Sequence, residues 1–213
     1  LKGVGIVKKQ IPAPGSSYKK GQRVVLNWVS LNMNKLEEAI KNLVEVPPGV
    51  SFDEINDVSI NLELASENQI VFYNNKNTEI SLKNFEKRLE KGNPGLLVLA
   101  NLPKIKICVP FVVVNENDFL DLQKKLLQTL FPVNHEFKIV GVTGTNGKTT
   151  TAFLLAQILE DEGVATLFIG TVGVYKNRKK IESVSKTTTP SYIDLWKTIY
   201  STPEIKVYAI EVS

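Results

Sequence analysis

Hydrophobic positions along this chain recur with two periods, and the switches between them mark its elements. Near the N-terminus, Gly5-Ile6-Val7-Lys8-Lys9-Gln10 and residues 20–26 read as short β runs. They flank the turn Pro12-Ala13-Pro14-Gly15, giving a hairpin-like unit too small to be stable alone. After Met33, the residues Leu36, Ala39, Ile40, Leu43 and Val44 fall at helical spacing. Asn34, with Glu37 three residues on, reads as the cap of that helix, and Pro47-Pro48-Gly49 as its end. Strand-like runs follow over 58–64 and 70–73, then a helix over 82–90 that stops at Gly92. Further strands are predicted over 96–100 and 111–114. A helix over 118–130 sets Leu120, Leu122, Leu126, Leu127 and Leu130 mostly on one side, and Pro132 closes it.

The last part reads differently. A buried strand over 138–142 passes through a Gly-rich loop into a helix over 149–162, which stops at Gly163. A strand over 165–169, a polar loop, a helix over 192–200 and a strand over 206–212 follow. Strand, loop, helix, strand is a βαβ unit, whose strands run parallel. The expected fold class is therefore α/β: a small N-terminal α/β domain, then the start of an ATPase-like domain with a mainly parallel sheet. The expected divisions are 1–32, 33–135 and 136–213.

Composition changes this picture little. The chain has 213 residues, 43% of them hydrophobic, enough for one large core or two modest ones. No apolar run approaches the roughly 18–20 residues that span a bilayer, and no apolar h-region follows the N-terminal lysines. A lone cysteine, Cys108, excludes an internal disulfide framework and reads as a small buried hydrophobe. A lone histidine, His135, excludes clustered-histidine metal sites and reads as solvated in a polar turn. A pI near 9.0 raises the question of nucleic acid. Its source answers it. Six of the 26 basic residues and none of the 22 acidic ones lie in residues 1–32, so the remainder carries 20 basic against 22 acidic. That body has no basic stripe interleaved with aromatics.

The chemistry concentrates in Gly144-Thr145-Asn146-Gly147-Lys148-Thr149-Thr150, between a strand and a helix. Glycines let backbone N–H groups turn inward around phosphate oxygens, and the helix that follows adds its positive end. Lys148 would reach the β- and γ-phosphates, and the Thr149 hydroxyl would hold Mg²⁺. The spacing departs from G-x-x-x-x-G-K-T, because Val142 stands at the first glycine position and Gly141 one residue early. Glu211 follows the apolar strand Val207-Tyr208-Ala209-Ile210. Ligands in such sheets bind beyond the carboxyl ends of strands, where a carboxylate can hold a metal. Composition alone leaves Thr188 and Thr189 as a plain Thr/Pro loop.

The loop resembles the nucleotide loop of the Mur ligase family. Ile169-Gly170-Thr171-Val172-Gly173, Thr188-Thr189-Pro190 and Glu211-Val212-Ser213 follow in the order of that family's MurE-type members. Folate-polyglutamate ligases usually carry Gly-Ser after the lysine, and the alanine-adding ligase carries His in place of Asn146. The resemblance implies that Lys148 and Glu211 are catalytic. It implies ATP on Gly144 to Thr150, Mg²⁺ on Thr149 and Glu211, and the UDP-N-acetylmuramoyl substrate on Thr188, Thr189 and Ser213. It implies amide formation through an acyl phosphate, adding diaminopimelate or L-lysine to UDP-N-acetylmuramoyl-L-alanyl-D-glutamate. The partners expected are that dipeptide and an amino acid. No nucleic acid and no membrane insertion are expected, and the enzyme is expected to be cytoplasmic and monomeric. The family's Asp-Ser-Arg uridine contact is not reproduced: Asp53-Glu54-Ile55 and Asp57-Val58-Ser59 stand nearby, and no uridine-binding residue is assigned.

Residues 1–32 resemble the second half of a PASTA module, an extracellular unit of penicillin-binding proteins and kinases. The expectation is that Met33 is the native start and that the preceding residues derive from a neighbouring gene. The family's amino-acid-binding C-terminal domain and modified lysine are expected beyond Ser213, and the chain alone is expected to be inactive. Two rival classes stay open: another ligase of the superfamily, and a non-catalytic nucleotide-binding homologue.

Overall fold

A computed structural model describes residues 7–11, 25–28, 31–74, 78–181 and 189–213. The chain divides into two compact units, Leu1–Leu130 and Phe131–Ser213.

In the first unit, strands β1 (Val7–Ile11) and β2 (Val25–Trp28) pair antiparallel, with an irregularity between Val7 and Lys9. Helix α1 (Leu31–Lys41) buries Leu36 and Ile40 completely. It begins three residues before Asn34, which corrects the expected cap. A running helix gains one backbone bond per residue added without a new nucleation step, and this outweighs a side-chain cap worth about 1 kcal/mol.

A four-stranded sheet follows, built from β3 (Asp57–Ser59), β4 (Gln69–Tyr73), β5 (Leu96–Leu99) and β6 (Phe111–Val113). Its strands lie in that order and all run parallel. Every residue of β5 is buried, as expected of a strand covered on both faces. The strand expected over 58–64 ends at Ser59. The Ser59 hydroxyl accepts from the Asn61 N–H at 3.0 Å, and Leu62–Leu64 close a 3-10 turn that buries Leu62 and leaves Leu64 exposed.

Helix α2 (Glu79–Leu89) buries Phe85 against Val71, Leu97 and Leu99. Helix α3 (Glu116–Leu130) buries Phe119, Leu122, Gln123, Leu126 and Leu127, the i, i+3, i+4, i+7, i+8 stripe. Leu120 falls off that stripe and is exposed, correcting its expected place in the core. Phe119 meets Phe72 edge-on at 5.2 Å. Cys108 is exposed rather than buried, because it lies in the irregular segment between β5 and β6, outside both strands.

The second unit is a five-stranded sheet made of β7 (Lys138–Val142), β8 (Thr166–Gly170), β9 (Gly173–Lys176), β10 (Lys179–Ile181) and β11 (Val207–Glu211). Its order is β10-β9-β8-β11-β7. β11 runs parallel to both β7 and β8, as the βαβ pattern predicts, and sits between them. The expected polar loop after β8 proves to be the antiparallel hairpin β9–β10. Its tip, Asn177 and Arg178, has φ of 49° and 60°, the backbone of a tight hairpin turn.

Helix α4 (Lys148–Asp161) lays Ala152 and Ala156 over Phe168 and Ala209, small residues that let the helix approach the sheet closely. Leu167, Ile169, Tyr208 and Ile210 point to the other face, where Ile199 of helix α5 (Tyr192–Ser201) covers them. β7 is not the buried strand expected. It is an edge, with Ile139 and Val140 exposed, because among the described residues only β11 pairs with it. His135 is half-buried rather than solvated. Its ring lies 5.9 Å from that of Phe137, and its Nε2 is a buried atom with no hydrogen-bond partner.

Candidate active site

Three parallel strands end side by side in the second unit. Glu211 at the end of β11 is level with Val142 at the end of β7, and Ile210 is level with Ile169 of β8. Carboxyl ends of such strands are where α/β sheets bind ligands.

From β7 the chain runs through the exposed residues Thr143 to Gly147 into α4. Gly147 occupies the N-cap position with φ 78°, a left-handed conformation that a side chain would strain. No side chain caps α4, and its first turn holds no acidic residue. The positive end of this helix is thus left to an outside anion. Lys148 Nζ donates to the Gly144 carbonyl at 2.8 Å, folding the lysine back over the loop. Lys148 and Thr149 are half-buried, and Thr145, Asn146 and Thr150 are exposed.

Glu211 is one of few buried charged or polar residues, 4% exposed. Its Oε2 accepts from the Thr171 N–H at 2.9 Å and from the Thr171 hydroxyl at 3.0 Å. The Thr171 amide, above all, holds the Glu211 carboxyl below the usual carboxylate range. Burial pushes the other way, while the hydroxyls of Thr149 and Thr171 and the charge of Lys148 add to the lowering. Glu211 is therefore a charged carboxylate beside the start of α4, where Lys148 and Thr149 stand.

Among the described residues no group of three or more His, Cys, Asp or Glu could hold a metal by itself. One carboxylate and one hydroxyl are the hard oxygen donors that suit Mg²⁺, which takes one or two carboxylates, substrate phosphates and water. The residues present fit that ion.

Thr189 and Ser213 come together at the same end of β11. The Thr189 hydroxyl donates to the Glu211 carbonyl at 3.1 Å and accepts from the Ser213 N–H at 2.9 Å. Its proton given away, it accepts from the Ser213 hydroxyl as well, at 3.0 Å. Thr188 lies outside the described residues. The sequence pattern assigns Gly170 and Thr171 no role of their own. Their signal was a Gly-Thr pair directly after an apolar strand, at the carboxyl end where ligands bind.

Several known proteins are similar to this chain. Residues 142–213 match the family described as Mur ligase middle domain. Over 57 residues the chain is 51% identical to the UDP-N-acetylmuramoyl-L-alanyl-D-glutamate–2,6-diaminopimelate ligase of Clostridium perfringens, covering 27% of this chain and 12% of that protein. The like-named ligase of Phocaeicola vulgatus is 34% identical over 167 residues, 76% of this chain and 33% of that protein. The corresponding L-lysine ligase of Staphylococcus haemolyticus is 29% identical over 170 residues, 79% of this chain and 33% of that protein. A solved diaminopimelate ligase of this kind shares the fold with TM-score 0.60 at 19% identity, over 84% of this chain and 36% of that one. The chain thus spans a third or less of the length of these curated relatives. The 142–213 segment of this chain belongs to the Mur ligase middle-domain family.

Proposed function

We propose that this chain carries the ATP-binding start of a cytoplasmic ligase that adds the third residue, diaminopimelate or L-lysine, to UDP-N-acetylmuramoyl-L-alanyl-D-glutamate in peptidoglycan precursor synthesis. The observation that carries this reading is the meeting of the uncapped, Lys148-bearing loop with the buried Glu211 carboxylate at one sheet end. The relatives named above support the substrate. Among the described residues no helix is long and apolar enough to cross a membrane.

In this reading the dipeptide's terminal carboxylate oxygen attacks the γ-phosphorus of ATP, the bond to ADP breaks, and an acyl phosphate forms. The amine of the incoming amino acid then attacks the acyl carbon. Phosphate leaves and the nitrogen gives up a proton, completing the amide. Two anions must approach, so charge neutralisation dominates the barrier. Lys148 and the first-turn amides of α4 receive the phosphate oxygens. Thr149 and Glu211 would hold Mg²⁺, which would supply positive charge to offset that of the phosphates. Ser213, hydrogen-bonded to Thr189, would bind the acceptor.

Phosphate release by the full-length protein tests this, with Mg·ATP and the UDP-dipeptide supplied and diaminopimelate or L-lysine in parallel. Release that requires one of the two amino acids is the expected result and names the substrate. Folded, ATP-binding protein that releases phosphate with neither would overturn it in favour of a sister ligase or a non-catalytic homologue.

A further inference from the structure

We propose that Gly170 and Thr171 are positioning residues that hold Glu211 by one carboxylate oxygen, Oε2, and thereby present Oε1 to the cation that accompanies the nucleotide. The inference rests on the ATP reading above and deepens it.

Two donors from one residue converge on the same oxygen: the Thr171 N–H at 2.9 Å and the Thr171 hydroxyl at 3.0 Å. A glutamate side chain has three torsions, and a carboxylate fixed at one oxygen by two donors loses most of that freedom. Gly170 makes the approach possible. A Cβ there would lie 2.8 Å from Glu211 Oε2, 3.2 Å from Glu211 Cβ and 2.5 Å from Phe168 Cζ. Any side chain there would push the Glu211 carboxylate or the Phe168 ring out of its present place. Thr171 itself is exposed, so it does not hold up the core. Its polar atoms serve the charged residue of the neighbouring strand. Partners that orient a metal-binding carboxylate change metal affinity by about 10- to 100-fold when removed.

The test compares wild type, Thr171→Val and Thr171→Ser in the full-length protein. Calorimetry measures ATP binding with and without Mg²⁺, and electron paramagnetic resonance measures Mn²⁺ in the presence of ATP. Valine keeps the shape and the amide but removes the hydroxyl. Thr171→Val is expected to weaken Mn²⁺ binding to the ATP complex about tenfold, to leave metal-free ATP binding within about twofold, and to keep the wild-type circular dichroism. Thr171→Ser restores Mn²⁺ affinity to within about threefold. Wild-type Mn²⁺ affinity in Thr171→Val overturns the positioning role while leaving the ATP reading intact. So does equal loss of metal-free and metal-dependent binding that serine fails to rescue. A wild type whose ATP binding ignores Mg²⁺ overturns both.

Discussion

Helices α2 and α4 occupy the same place in their two units: each is the first helix after a parallel strand, β4 and β7 respectively. Their first turns are built in opposite ways. The Thr78 hydroxyl caps α2 by accepting from the Ser81 N–H at 3.3 Å, and Glu79 adds a negative charge at the positive end. Helix α4 starts at a left-handed glycine with no side-chain cap, and a lysine stands where α2 has an acid. The first helix satisfies its own dipole. The second leaves it unsatisfied, and such an end is stabilised by a bound anion. One sheet architecture thus gives a self-capped turn in one unit and an uncapped one, suited to an anion, in the other, and the difference lies in the chemistry of the loop and first helical turn.

Substitutions can break this contrast. The largest effect is expected from Lys148→Ala, which removes the loop's only cation: kcat should fall about 10²- to 10³-fold with an unchanged circular dichroism spectrum. Glu211→Gln comes next, with metal-dependent ATP affinity down about 10-fold, read by calorimetry at varied Mg²⁺.

Glu211→Gln also has a signature in acid. Folding holds the Glu211 carboxyl below its ordinary 4.5, so its stabilisation is present above that value and is lost as pH falls through the lowered one. The melting temperature of wild type should therefore drop more steeply than that of Glu211→Gln between about pH 5 and about pH 2. Parallel curves would show that Glu211 is not held as described.

Two smaller changes sharpen the comparison. Thr150→Glu gives α4 the acidic first turn that α2 has. It should stabilise the fold by about 0.3–1 kcal/mol while weakening ATP binding, opposite signs from one substitution. Thr78→Ala should destabilise the first unit by about 1 kcal/mol and leave nucleotide binding untouched.

The loop and its lysine were legible in the sequence because their chemistry is local: glycine, lysine and threonine in a row between a strand and a helix. The parallel strands of the second unit were legible for the same reason. What stayed hidden depends on neighbours distant in sequence. Thr171 lies 40 residues from Glu211, and no periodicity links them. The edge position of β7 depends on β11 pairing with only one of its sides, which Ile139 and Val140 cannot announce. The hairpin β9–β10 was read as a loop because Lys176, Asn177, Arg178, Lys179 and Lys180 are polar throughout. Backbone pairing and the left-handed tip, not apolar alternation, make it a hairpin.

The three hydrogen bonds at the Thr189 hydroxyl have a mechanical consequence. That hydroxyl is joined to the Glu211 carbonyl and to both polar groups of Ser213. The segment that leads into α5 is therefore bolted to the strand end that bears the acid. A displacement of the backbone at Glu211 would therefore be felt at once by Thr189, at the head of the segment that leads into α5.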